Sequence, residues 1–259
     1  MIRSIGAIAI GIAAALGPIA SQTPAEAKPA EPTSTPATSQ EDSAVHSYIL
    51  LDRTGSMSSI WDEALSSVNA YAASVAEEED GGFDTLDTQV TVAVFDAQEG
   101  LQFDLLRKGV NADAWTPVSQ SEAHPRGMTP LFDAIGRMVA VAEADAPDKA
   151  VIVIMTDGHE NASREITKDG AKAALDRVRA KGWDVVFLGA EFARFDDAGA
   201  VGVSASKSMA IGSGQLSTSM ERLAKQSRAY GKGEQAEVIF DEEDRAAAGE
   251  EAVKQRKGQ

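Results

Sequence analysis

Three short stretches of the chain are apolar at almost every position: "YILLD" from Tyr48, "KAVIVIMTDG" from Lys149 and "WDVVFLGAE" from Trp183. Each is too short for a helix and lacks the alternation of a strand with one wet face. Such a run is a strand buried on both sides, as in a parallel sheet with helices over each face. This feature dictates the rest, because a strand hidden on both faces needs helices from the sequence between the strands to hide it.

The intervening segments supply them. From about Ser59, Trp61, Leu65, Val68, Ala72 and Val75 recur on one helical stripe. That helix ends in the acidic run Glu77 to Asp80 and a glycine pair, read as a solvated helix end. "TQVTVAVFDA" from Thr88 alternates Val90, Val92 and Val94 with polar or small residues, and Leu101–Leu106 is its antiparallel partner. Asn111–Met128 is a longer loop than a compact domain leaves idle. Pro130 is expected in the first position of the next helix, with Leu131, Ile135, Met138 and Ala142 as its stripe. A further helix from Thr167 carries Ala171, Ala174, Leu175 and Val178 and closes at Gly182. Phe195–Gly199 reads as a short helix, Ser206–Ile211 as an edge strand and Leu216–Tyr230 as a last helix. The expected fold is therefore α/β: a doubly wound, Rossmann-like, mostly parallel central sheet with helices on both faces and one antiparallel edge strand.

The N-terminus reads as an export signal. Arg3 precedes the uncharged run Ile5–Ile19, and Ala25-Glu26-Ala27 matches the small-residue cleavage pattern. The expected division is a signal peptide over 1–27, a disordered Pro/Thr/Ser-rich linker over 28–44, a folded domain over 45–230 and a charged, peripheral tail over 231–259. Export would place the protein in the periplasm or outside the cell; an uncut segment would instead anchor it to the membrane. The chain has no cysteine, which excludes disulfides, zinc–thiolate sites and thiol chemistry. A net charge of −16 argues against nucleic acid and anionic lipid as partners. A monomer is expected.

In doubly wound sheets, ligands sit beyond the carboxyl ends of the strands, at a topological switch point. Asp52 and Asp157 each follow an apolar strand at such an end. Asp52 opens Asp52-x-Thr54-x-Ser56, Thr129 stands just before a helix in "RGMTP", and Asp157 lies in "MTDG". By itself, the first element also suits an Asx turn and helix cap. Together the five are hard oxygen donors, a set suited to Mg²⁺, with Mn²⁺ or Ca²⁺ as alternatives. Five such donors leave one position of an octahedral ion open to an acidic group from elsewhere.

"DRTGSMSS", "GMTPLFDAIG" and "VIVIMTDGHEN" resemble the metal-ion-dependent adhesion site of von Willebrand factor type A domains. The resemblance implies that Thr54 and Ser56 bind Mg²⁺ directly, with Asp52, Thr129 and Asp157 completing the shell directly or through water. It also implies that a Glu or Asp side chain of a protein partner takes the open position, and that the chain is a binding module rather than an enzyme. Thr54 departs from the family's usual serine but keeps the hydroxyl. The competing chemistry is a Mg²⁺-dependent phosphohydrolase of the haloacid dehalogenase type, using Asp52 as nucleophile. In that reading Thr54 stands where the general acid should be, and only Asp196-Asp197 imitates the late acidic pair. His124 and His159 flank the site in sequence and read as solvated loop residues.

Overall fold

The computed structural model describes residues 45–77, 87–190 and 195–257. The signal peptide, the linker and the acidic run beyond Glu77 lie outside the described residues, as do the side chains of Asp196 and Asp197. The strands are β1 (Val45–Asp52), β2 (Gln89–Ala97), β3 (Leu101–Asn111), β4 (Lys149–Thr156), β5 (Asp184–Ala190) and β6 (Ser208–Ile211). The helices are α1 (Trp61–Ala76), α2 (Leu131–Asp145), α3 (Lys168–Arg179), α4 (Phe195–Ala200), α5 (Leu216–Gly231), α6 (Glu242–Ala247) and α7 (Glu250–Lys257).

The strands form one sheet in the order β3-β2-β1-β4-β5-β6, parallel throughout except for the antiparallel β2–β3 pair. The chain winds outward from β1 to β2 and β3, then returns to β4 on the other side of β1. The winding therefore reverses between β1 and β4, leaving a crevice beyond their carboxyl ends. Asp52 ends β1 and Asp157 directly follows β4, so both acids sit at the switch point.

Successive side chains of a strand face opposite ways. In β1, Ile49 and Leu51 enter the core beneath α1 and α5, while Tyr48 and Leu50 enter the one beneath α2 and α3. The apolar stripes of α1, α2 and α3 are buried as their periodicity requires. Thr167 caps α3 by accepting the Gly170 N–H at 3.2 Å, and Gly182 beyond its end takes a φ of +85°. No described helix is long and apolar enough to cross a membrane.

Both faces of β2 are buried: Val90, Val92 and Val94 pack beneath α1, and Ala93 and Phe95 lie on the α2 side. Two expectations need correction. Pro130 stands before α2 rather than in its first position, because its ψ of 62° still belongs to the incoming loop. The segment after Gly231 is not peripheral. Val238, Phe240, Ala248 and Val253 are buried, and the segment covers the open edge of β6. There, Ala210 N–H donates to Glu250 at 3.1 Å and Gly212 N–H donates to the Ala248 carbonyl at 2.8 Å. An uncovered strand edge invites pairing with another chain, so this covering has a structural purpose.

Candidate metal centre

Asp52 is the last residue of β1 and is fully buried. Its Oδ1 accepts the Thr54 N–H at 2.7 Å, turning the chain sharply out of the sheet into a short 3₁₀ turn over Gly55–Ser59. Thr54 stands at the N-cap of that turn, yet its hydroxyl caps nothing. It lies 3.1 Å from Ser56 Oγ instead. The Asx turn is real, but it leaves both hydroxyls free to face the crevice.

The other two elements meet them there. Ser56 Oγ donates to Asp157 Oδ1 at 2.7 Å, and Thr129 Oγ1 lies 3.4 Å from Thr54 Oγ1. Because an ionised carboxylate only accepts, the hydroxyl protons run one way: Thr129 to Thr54, Thr54 to Ser56, Ser56 to Asp157. Asp52 Oδ2 accepts a 2.5 Å bond from Thr156 Oγ1. All five expected residues are thus brought to one place. Thr54, Thr129 and Asp157 are buried and Ser56 is exposed, so the cluster opens to solvent on the Ser56 side.

Burial dominates the electrostatics. It pushes the Asp52 carboxyl up to about 7 against the bonds from Thr156 and Thr54, and the nearby Asp157 raises it further. Burial also raises Asp157, opposed by its bond from Ser56. Among the described residues, no cationic side chain acts on either acid. Taking two carboxylates out of water with no counter-charge is costly, and a cation of high charge would offset it. The donor set of carboxylate and hydroxyl oxygens fits such an ion. Space also fits: a Cβ at Gly158 would lie 3.1 Å from Thr129 Oγ1 and 3.5 Å from Ser56 Oγ, intruding on the cradle. Among the described residues no three His, Asp or Glu side chains are grouped for a metal, so hydroxyls must supply the balance here.

Three contributors escape a reading of the motifs. Thr156 orients Asp52, Gly158 leaves the cradle open, and Asn161 pins Thr129. Asn161 Oδ1 accepts the Thr129 N–H at 2.8 Å, and Asn161 N–H donates to the Thr129 carbonyl at 3.0 Å. Thr156 and Gly158 flank Asp157 in "MTDG", a signal present in the sequence but open to many readings. Glu160 serves as a helix cap, accepting the Phe132 N–H at the start of α2 at 3.0 Å. His124 and His159 are exposed, as expected.

Comparison with known proteins agrees with this fold. The family model for the von Willebrand factor type A domain matches residues 48–230. No curated protein sequence matches the chain. Among solved structures, proximal thread matrix protein 1 of the mussel byssus is 16% identical, with a TM-score of 0.50. The match covers 72% of this chain and 48% of that one, so this chain spans about half its length. The von Willebrand domain of the type V pilus tip protein Mfa5 from Porphyromonas gingivalis is 9% identical with a TM-score of 0.54, over 71% of this chain and 94% of that one. The pilus adhesin SpaC of Lactobacillus rhamnosus GG is 14% identical with a TM-score of 0.55, over 73% and 31%. At these identities the likeness is one of fold.

Proposed function

The chain belongs to the von Willebrand factor type A domain family, and from that premise we propose that it binds a protein partner through a divalent cation at the β1/β4 switch point. Asp52, Thr54, Ser56, Thr129 and Asp157 would hold the ion, Mg²⁺ in the first instance, with Mn²⁺ or Ca²⁺ as alternatives. When bound, the ion supplies a Lewis-acidic position that a Glu or Asp side chain of the partner fills. One observation carries this reading: two buried carboxylates converge with three hydroxyls, and no cationic side chain among the described residues compensates them.

The chain's own residues do the preparatory work. Thr156 and the Thr54 N–H hold Asp52 in place, the hydroxyl relay orders the three oxygens, and Asn161 fixes Thr129. The phosphohydrolase reading finds no support in this arrangement. A hydroxyl at Thr54, already bonded to Ser56, cannot protonate a leaving group as a carboxylic acid does. We assign the protein to the exported class, on the strength of the signal-like segment over residues 1–27.

Calorimetry tests the first step. The wild type should bind Mg²⁺ and Mn²⁺, and Asp52→Ala and Asp157→Ala should lose that binding while remaining folded. Undiminished affinity in both variants would retire the proposal. The second step is tested by capture of a partner in Mg²⁺ and in chelator. Retention by the wild type only with metal, and not by Asp52→Ala, is the expected result.

A further inference from the structure

We propose that Asp96 is a positioning residue for the metal centre, tying the loop that carries Thr129 to the loop that carries Thr54 and Ser56. This rests on the metal reading above.

Asp96 lies near the end of β2 and is fully buried. Its Oδ1 accepts Arg53 Nε at 2.7 Å and its Oδ2 accepts Arg126 Nε at 3.2 Å. Arg53 is the residue between Asp52 and Thr54, itself buried, and its free nitrogen reaches Asp104 of β3 at 2.6 Å. Arg126 lies three residues before Thr129. One carboxylate thus bridges the two segments that supply four of the five oxygen donors.

The backbone shows how closely those segments are fitted. Arg126 N–H donates to the Arg53 carbonyl at 2.8 Å, and Gly55 N–H donates to the Gly127 carbonyl at 3.3 Å. Ala97 and Met128 exchange bonds of 2.9 and 3.2 Å. Gly127 takes a φ of +70°, and a Cβ there would lie 2.5 Å from the Ala97 carbonyl oxygen and 2.8 Å from Asp96 Oδ2. The loop therefore sits directly upon the Asp96 carboxylate, in a conformation that suits glycine.

A buried ion pair is weak evidence of a stabilising role, because desolvation offsets most of its Coulomb gain. What it supplies is direction: the two oxygens of Asp96 set where each guanidinium, and hence each loop, must lie. Residues that hold metal ligands in place typically affect affinity by about 10- to 100-fold when changed.

The test is Mn²⁺ affinity, read from the electron paramagnetic resonance signal of free Mn²⁺, with circular dichroism and urea unfolding of each variant. Asp96→Asn and Arg126→Gln should remain folded and bind Mn²⁺ about 10- to 100-fold more weakly than the wild type. Asp96→Asn combined with Thr129→Ala should lose less affinity than the sum of the two single losses, since part of the carboxylate's effect passes through that loop. Should Asp96→Asn fail to fold, Arg126→Gln carries the test, its side chain being 35% exposed. Wild-type affinity in folded Arg126→Gln, or additive losses in the double variant, would overturn the positioning role and leave the metal reading standing. Absence of Mn²⁺ binding by the wild type would overturn both.

Discussion

At the scale of single residues, the two ends of the sheet treat their buried ionisable groups differently. At the switch point, Asp52 and Asp157 are held by hydroxyls and meet no counter-charge among the described residues. At the opposite end, His46 sits in a closed relay. Tyr48 Oη must donate to the Asp145 carboxylate, at 3.3 Å, so it accepts from His46 Nδ1–H at 2.9 Å. His46 Nε2 then accepts from Thr91 Oγ1 at 2.8 Å. The ring is thereby kept neutral, and burial pushes its pKa down to about 4 from 6.5. Between those values the unfolded chain binds more protons at this site than the folded one. The contribution of His46 to stability is thus complete above pH 6.5 and is lost as pH falls toward 4. Urea unfolding at pH 7 and pH 5 should show a smaller loss of stability on acidification for His46→Gln than for the wild type. Equal losses in the two proteins would show that His46 does not titrate in this way.

At the scale of elements, α2 and α5 start without any cap of their own. α2 follows Pro130 and α5 follows Gln215, and neither residue makes a side-chain capping bond. The caps come from elsewhere in the chain. Glu160 and Ser163 accept the first N–H groups of α2. Glu63, on α1, accepts the N–H groups of Gly214 and Leu216 at 3.0 and 2.9 Å, at the start of α5. A carboxylate at a helix N-terminus satisfies orphan donors and complements the helix dipole. Glu63→Ala should therefore lower stability by about 1 kcal/mol in urea unfolding, while leaving Mn²⁺ affinity unchanged. The helices themselves were legible from their apolar stripes. The cap of α5 was not, because a cap from a distant helix leaves no local signature.

At the scale of the whole molecule, the chain past Gly231 completes the domain. Val238, Phe240, Ala248 and Val253 are buried, and Glu250 is held by Arg245 and Lys254 at 3.0 and 2.8 Å while it covers the edge of β6. Burial of four such side chains is worth on the order of 5 kcal/mol or more. That is comparable to the whole stability of many domains. Truncation after Gly231 should therefore give a marked fall in melting temperature and in soluble yield; a truncated chain as stable as the full one would refute this.

The segment reads as a tail in the sequence because charged residues outnumber its scattered apolar ones, and no period links those that are buried. By itself, the sequence determined the strand–helix alternation and the five candidate oxygen donors, since burial on both faces and oxygen-bearing side chains at strand ends are written into neighbouring residues. Only the tertiary structure decided which side chains hold those donors in place. Thr156 reaches Asp52 across 104 positions of sequence and Arg53 reaches Asp96 across 43. Such bonds depend on which loops the sheet brings together at its switch point, and that is a property of the assembled fold rather than of any local pattern.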